Sequence, residues 1–171
     1  MGKVKNVEFK AKVDEIESYE QKLLTLKPIF TGLDHQVDTY FNVPYGRLKL
    51  REGNIENALI QYNRENIAGS KQSDVILYQH QPDAALKKIL ALQLGIKKII
   101  DKKRKIYFVN NVKFHFDVVD GLGTFLEVEA IDNTGELTPE YLESQCDYYR
   151  DFFGLNNTDM MEGSYSDMLP F

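Results

Sequence analysis

The sequence is poor in the residues that mark secreted, membrane-spanning or thiolate-metal proteins. Its 171 residues include a single cysteine, Cys146, so no disulfide can form within the chain. No stretch approaches the ~18 consecutive apolar residues that a membrane-spanning helix needs. The N-terminal residues also lack the apolar core of a signal peptide. We therefore expect a cytoplasmic protein that does not enter a membrane.

Motifs of the common nucleotide and zinc enzymes are missing as well. The chain has no Rossmann glycine pattern, no Walker motif and no cysteine–histidine zinc spacing. Its formal net charge of -5 argues against nucleic-acid binding, which usually needs a basic surface. Lys and Arg are nevertheless concentrated at 47–51 and 97–105. An acidic protein with local basic stripes can hold a small polyanion inside rather than a duplex outside.

Alternating apolar and polar residues predict a domain built mainly of strands. Residues 4–13 alternate with the period of two that is typical of a half-buried strand. Helices are predicted from an Asp14 cap to about Leu26, from Pro82 to Leu94, and from Thr138 to Phe153. The other predicted strands are 34–43, 47–52, 58–65, 73–80, 96–102, 104–110, 112–119 and 124–131. With no repeat or linker, we expect one α+β domain over 1–171, its strands antiparallel and closed into a barrel.

The polar face of these strands is almost fully charged. The aligned residues are Glu8, Lys10 and Lys12; Arg47, Lys49 and Arg51; Lys102 and Arg104; Lys113, His115 and Asp117; and Glu127 and Glu129. Two interpretations remain open. The charged face of an antiparallel sheet can simply meet water. If the helices pack outside the sheet, the same face instead lines an internal cavity.

An inward face of this composition has a definite chemical use. Arg and Lys side chains from several strands can surround a triphosphate, and carboxylates can hold Mg²⁺ or Mn²⁺ against its oxygens. Glu127 and Glu129 are two apart and project to the same side of one strand. Glu8 adds a third carboxylate if the first and last strands are neighbours. Neither the Glu127/Glu129 spacing nor Glu8 is specific for a metal site by itself.

Several ordered segments together resemble one known family. They are VEFKAK, DTYF, GRLKLRE, DKKRKIYF, FHFDVVDGLGTFLEVEA and SYSDML. The set resembles the CYTH superfamily of triphosphate tunnel enzymes over nearly the whole chain, and is most similar to its class IV adenylyl cyclase branch. The resemblance implies a closed antiparallel β-barrel of about eight strands with helices outside, and a possible homodimer.

Roles for individual residues follow from the resemblance. It implies that Glu8, Glu127 and Glu129 bind metal, and that phosphates are contacted by Lys10, Lys12, Arg47, Lys49, Arg51, Arg64, Lys102, Arg104 and Lys113. Asp117 would place metal or water, or hold a basic neighbour. With Glu8, Lys12, Glu127 and Glu129 it completes the implied catalytic set. For His115, a structural or phosphate-contacting role is expected.

One position departs from the family pattern, which opens with E-x-E-x-K. Here Lys10 replaces the second carboxylate, which removes a metal ligand and adds positive charge. The resemblance implies conversion of ATP to cyclic AMP and pyrophosphate. The alternatives are a triphosphatase, which releases phosphate from an inorganic or organic triphosphate, and a binding module without catalysis.

Overall fold

The computed structural model describes residues 3–63 and 69–170, in which strands outnumber helices. The strands are β1 (Lys3–Lys12), β2 (Ile29–Phe41), β3 (Arg47–Glu52), β4 (Ala58–Asn63), β5 (Lys71–Gln79), β6 (Ile96–Val109), β7 (Val112–Val119) and β8 (Gly123–Asp132). The helices are α1 (Ile16–Leu24), α2 (Ala84–Leu94), α3 (Pro139–Phe153) and α4 (Tyr165–Met168), with a 3-10 turn at Asn157–Asp159. None of these described helices has both the length and the apolarity to cross a membrane.

The eight strands form a closed antiparallel barrel in the order β1-β5-β4-β3-β2-β6-β7-β8. The barrel closes because β1 pairs with β5 on one side and with β8 on the other. The first and last strands are therefore neighbours, and Glu8 lies directly across from Glu129. The predicted α+β barrel of about eight strands is confirmed.

Two predicted strands, 96–102 and 104–110, are wrong as separate elements. They form the single long strand β6, which pairs with β2 along nearly its whole length. The pairing extends β2 as well, since this strand begins at Ile29 rather than at residue 34. The Asp14 cap is also wrong, because α1 begins at Ile16 after Glu15, whose side chain makes no capping hydrogen bond.

The main apolar core lies outside the barrel wall, between the strands and helices α1 and α3. Helix α3 is capped at its start by Thr138, whose hydroxyl accepts a hydrogen bond from the Tyr141 amide, and it is followed by Gly154 in the left-handed conformation. Its buried face packs against the outer side chains of β1, β7 and β8, among them Phe9, Phe114, Leu126 and Val128. Since the apolar face of these strands points outward, their charged face points into the barrel.

Helix α2 connects β5 to β6 and is packed differently. The side chain of Asp83 caps it by accepting a hydrogen bond from the Ala85 amide. Gly95, with a φ of 78°, ends it as expected. None of its described residues is fully buried, and Leu92 is 73% exposed.

The C-terminal segment, defined here as Ser164–Leu169, lies across the end of the barrel at which β3 and β6 begin. Arg47 of β3 binds the carboxylate of Asp167 at 2.8 Å, and Lys98 of β6 donates to the backbone carbonyl of Leu169. The Tyr165 ring packs edge-on against Phe125 of β8, at 4.9 Å between centroids. These contacts cover this end of the barrel.

Candidate functional site

A cavity of about 130 Å³ runs inside the barrel and is called the tunnel cavity below. Its lining combines many cations with a smaller set of carboxylates. The cations are Lys10, Lys49, Arg51, Lys102, Arg104 and Lys113, and the carboxylates are Glu8, Glu56, Glu127 and Glu129. The charged strand faces thus converge on one enclosed space, which favours the cavity-lining interpretation over a solvent-facing sheet.

Three of the cations are held by one buried carboxylate, Asp38 of β2. Arg51 lies across from it on β3 and donates two hydrogen bonds of 2.9 Å. The ammonium groups of Lys102 and Lys49 lie 2.8 and 3.3 Å from Oδ2. Burial alone would raise the pKa of Asp38, but the three cations outweigh burial and hold it well below its usual range. Asp38 was not predicted as a site residue.

A second buried pair joins β6 to β7. Arg104 donates hydrogen bonds of 2.7 and 2.6 Å to the two carboxylate oxygens of Asp117, directly across the register. The hydroxyl of Tyr165 donates to Oδ2 of Asp117 at 2.6 Å. Burial raises the pKa of Asp117, and the charge of Arg104 more than reverses that effect. Asp117 lies behind Arg104, a position that fits the predicted role of holding a basic neighbour.

Glu127 lines the tunnel cavity and lies among three nitrogen-bearing side chains. Its carboxylate is 3.7 Å from Lys10, 3.5 Å from Arg104 and 3.6 Å from His115. Burial raises the pKa of Glu127, but these neighbours, Lys10 first, hold it well below its usual range. Burial lowers the pKa of Lys10 in spite of the attraction of Glu127. The Lys10 ammonium also lies 3.8 Å from the centroid of the Tyr165 ring.

His115, Glu127 and Glu129 bring one ligand atom each within 4.8 Å of one another. Both ring nitrogens of His115 are buried and have no hydrogen-bond partner among the described residues. Burial, aided by the charge of Arg104, lowers the pKa of His115 to about 4, so the imidazole is neutral near pH 7. Asn6 orients Glu129 through a hydrogen bond of 2.6 Å. One neutral imidazole and two carboxylates fit one divalent ion, Mn²⁺ better than Mg²⁺, since Mg²⁺ favours oxygen ligands.

Glu56 is another lining residue that the sequence analysis missed. The turn that carries it is fixed by Asp34, which accepts hydrogen bonds of 2.9 Å from the amides of Ile55 and Glu56. The Glu56 carboxylate pairs with Lys113 and lies 3.6 Å from Arg51. Burial raises the pKa of Glu56, and these two cations outweigh burial and lower it. Glu56 therefore anchors two of the predicted phosphate contacts.

The remaining predicted residues occupy different positions. Glu8 lines the tunnel cavity but is not in the three-residue cluster of possible metal ligands. Lys12 is exposed and Arg47 pairs with Asp167, and neither lines the tunnel cavity. Arg64 lies outside the described residues.

Residues 5–161 match the family model described as CYTH domain. The chain is similar to adenylate cyclase CyaB of Aeromonas hydrophila, with 25% identity over 164 residues covering 93% of this chain and 85% of the relative.

Two solved structures share the fold. The PH1012 protein of Pyrococcus horikoshii OT3 aligns with a TM-score of 0.80 and 23% identity, covering 96% of this chain and 99% of that one. The Hippeastrum protein HpAC1, for which a dominant triphosphatase activity is described, aligns with a TM-score of 0.62 and 12% identity. That alignment covers 98% of this chain and 93% of the Hippeastrum chain.

Proposed function

This chain belongs to the CYTH domain family, and from that premise we propose that it is a metal-dependent adenylyl cyclase, converting ATP to cyclic AMP and pyrophosphate. The observation that carries the proposal is the convergence of six cations and the Glu127/Glu129 pair inside one enclosed cavity. The similarity to an adenylate cyclase of Aeromonas hydrophila supports the choice of reaction.

In this proposal the cations bind the phosphate chain. Arg51 and Arg104 each present a planar guanidinium that can meet two phosphate oxygens, while Lys49 and Lys102 act as point charges. Asp38 and Asp117 fix the positions of these groups before the substrate arrives. Charges that are already in place stabilise a transition state without reorganising, and this is the main source of catalysis in such a site.

The cation site is assigned to His115, Glu127 and Glu129. A divalent ion there would neutralise phosphate oxygens and polarise the phosphorus that is attacked. Lys10 adds a positive charge 3.7 Å from the carboxylate of Glu127.

The proposed reaction forms one bond and breaks another. The ribose 3′ oxygen bonds to the α-phosphorus, the bond from that phosphorus to pyrophosphate breaks, and the hydroxyl proton is released. Negative charge grows on the departing pyrophosphate, and Arg104 and Lys102 neutralise it. The two arginines and the lysines also hold the chain in a reactive geometry.

A triphosphatase would use the same cations with a different nucleophile, since water would attack the terminal phosphorus. This second candidate is favoured by the small volume of the tunnel cavity, about 130 Å³, which suits a phosphate chain alone. A binding module without catalysis is the third candidate, favoured by the ion pair of Lys10 with Glu127 in the cation site.

Product analysis separates the candidates. Purified protein is incubated with ATP or inorganic triphosphate and Mg²⁺ or Mn²⁺, and the products are resolved by chromatography. The Glu127→Gln and Glu129→Gln variants are expected to lose at least about 100-fold in rate. Glu136→Gln, at an exposed position, is the matched control.

Each result narrows the candidates. Cyclic AMP and pyrophosphate that disappear in the two variants support the cyclase. Orthophosphate as the main product assigns the triphosphatase instead. No metal-dependent product from either substrate overturns the cyclase and the inorganic triphosphatase, and leaves the binding module or a triphosphatase of another organic triphosphate.

A further inference from the structure

Tyr165 lines the tunnel cavity at the end that the C-terminal segment covers. The centroid of its ring lies 3.8 Å from the ammonium nitrogen of Lys10 and 5.4 Å from that of Lys102. Its hydroxyl donates to the Asp117 carboxylate, which in turn holds Arg104. The tyrosine is 3% exposed, so these contacts are shielded from water. One side chain of the C-terminal segment thus supports three of the six cations that line the tunnel cavity, two directly and one through a carboxylate.

An aromatic ring supports a buried ammonium group differently from a carboxylate. A carboxylate attracts the ammonium but cancels its charge, whereas the electron-rich face of a ring attracts it and carries no net charge. Lys10 and Lys102 each have a carboxylate partner, Glu127 at 3.7 Å and Asp38 at 2.8 Å. The ring of Tyr165 therefore adds a second attraction for both ammonium groups without adding negative charge to the tunnel cavity.

Lys49 lies in a similar aromatic environment. Its ammonium nitrogen is 5.6 Å from the ring centroid of Tyr40 and 5.5 Å from that of Tyr62. Both of these tyrosines line the tunnel cavity, as Tyr165 does. Contact between an ammonium group and a tyrosine ring is thus a repeated feature of the lining, found at three of its lysines.

The turn that begins the C-terminal segment fixes the position of the Tyr165 ring. The Asp167 carboxylate accepts a hydrogen bond of 2.8 Å from the Ser164 amide and pairs with Arg47 at 2.8 Å. Gly163 precedes this turn with a φ of 72°. A Cβ at that position would lie 2.7 Å from Oδ2 of Asp167, so only glycine leaves room for the carboxylate. Tyr165 follows Ser164 directly and is held within this braced turn.

We infer that Tyr165 is a positioning residue for the phosphate chain, its ring holding the ammonium groups of Lys10 and Lys102 where phosphate oxygens meet them. This inference rests on the proposed function, because that function places the phosphate chain among these cations. Without the ring each ammonium group is drawn only towards its carboxylate, and an incoming phosphate has to pull it away. Loss of the ring therefore weakens binding of a phosphate chain.

Removal of either ring of one aromatic pair gives the first test. Tyr165→Leu removes the ring that faces the two lysines. Phe125→Leu removes the buried ring packed against it, which does not line the tunnel cavity, and is the matched control for lost packing. Binding is measured by calorimetric titration in Mg²⁺. The ligand is an analogue of inorganic triphosphate with methylene groups in place of both P–O–P bridges, so it is not turned over.

A ring of constant shape gives the second test, which does not depend on the stability of the leucine variants. Tyr165→Phe is compared with the mono-, di- and trifluorinated forms of phenylalanine at the same position. Fluorine withdraws the electron density that attracts a cation and changes the size of the ring little. Repeating the series in Lys10→Gln should reduce its effect, because one of the two ammonium groups is then absent.

Tyr165→Leu is expected to weaken binding of the analogue by about tenfold, and Phe125→Leu by less than about twofold. Tyr165→Phe should retain most of the wild-type affinity, and each added fluorine should lower it further. Equal losses in the two leucine variants, or equal affinities along the fluorine series, would overturn the inference.

Failure of the inference and failure of the proposed function give different results. Wild-type turnover of ATP together with a flat fluorine series would refute the inference alone. The expected series in a protein that turns over neither ATP nor inorganic triphosphate would refute the proposed catalysis and leave the inference standing. A wild-type protein that does not bind the analogue would refute both.

Discussion

The ammonium nitrogen of Lys10 lies 3.7 Å from Oε2 of Glu127, and the β1–β8 register places these two residues directly opposite each other. The pair is buried within the barrel. It sets a positive charge next to Glu127, one of the three groups that could hold a divalent ion. The site of this chain thus contains one built-in cation, and a metal ion has to compete with it for Glu127.

Replacing that cation by a carboxylate should strengthen metal binding. In Lys10→Glu the repulsion between ammonium and metal is removed and a ligand is added, so we expect Mn²⁺ affinity to rise by at least about tenfold. Titration of free Mn²⁺ by its paramagnetic resonance signal measures this. The metal-free variant should also melt at a lower temperature, because the introduced carboxylate would repel Glu127, and Mn²⁺ should restore it. Lys10→Gln serves as the control, and unchanged Mn²⁺ affinity in Lys10→Glu would contradict the prediction.

Two adjacent lysines of β6 lie on opposite sides of the barrel wall. Lys102 is 2% exposed and lines the tunnel cavity, whereas Lys103 is exposed on the outer surface. We expect Lys102→Met to weaken binding of an ATP analogue with methylene groups in place of both P–O–P bridges by about tenfold or more, because a charge-assisted contact to phosphate is lost. Lys103→Met should change it by less than about twofold. Calorimetric titration of both variants checks this, and equal effects would mean that the phosphates do not reach Lys102.

The Arg104–Asp117 pair should be important for stability as well as for binding. Asp117→Asn removes the nearer of the two carboxylates that the buried guanidinium contacts, and we expect a loss of about 3 kcal/mol in the free energy of unfolding. Tyr165→Phe removes only one hydrogen bond to the same carboxylate, and should cost about 1 kcal/mol. Urea denaturation of the two variants measures both values. Similar losses in both would show that the tyrosine contact, rather than the arginine, stabilises Asp117.

The buried carboxylate of Asp38 should make the folded protein lose stability in acid. Burial raises the pKa of Asp38, but Arg51, Lys102 and Lys49 together depress it in the folded state, while an aspartate in the unfolded chain titrates near about 3.9. Its stabilising contribution is therefore complete above about pH 4. It is lost as the pH falls from there through the folded-state pKa, because the unfolded chain takes up the proton first.

The comparison with Asp38→Asn isolates this contribution. The difference in unfolding free energy between wild type and variant should shrink as the pH is lowered from about 4 towards 2. Asp120→Asn, at an exposed position, controls for the general effect of removing a carboxylate. A wild-type-to-variant difference that stays constant over this range would refute the assigned role of Asp38.

The wall of the barrel could be predicted from the sequence because strand alternation is a local property. Residues of β1, β3 and β8 have their charged side chains on the predicted face, and the outer face is apolar as expected. The break predicted near residue 103 was wrong because the strand runs unbroken through the charged segment. Pairing with β2 supplies the stability that local propensity does not.

The partners of the charges could not be predicted in the same way. Asp38 contacts Arg51, Lys49 and Lys102 only because β2 lies between β3 and β6. No single segment of the sequence determines this order of strands. Glu56 becomes a site residue through the turn that Asp34 fixes, which carries no alternating pattern. A polar residue at an inward position of a predicted strand, such as Asp38, is the one signal that could have been followed.

Among the described residues, the C-terminal segment covers one barrel end, while Arg51 and Glu56 line the approach to the tunnel cavity from the opposite end. We expect an anion that enters past Arg51 and Glu56 to meet Tyr165 on its far side and to leave by the same route. Release of one product and entry of the next substrate would then share one passage, and product release can limit turnover as readily as bond breaking does.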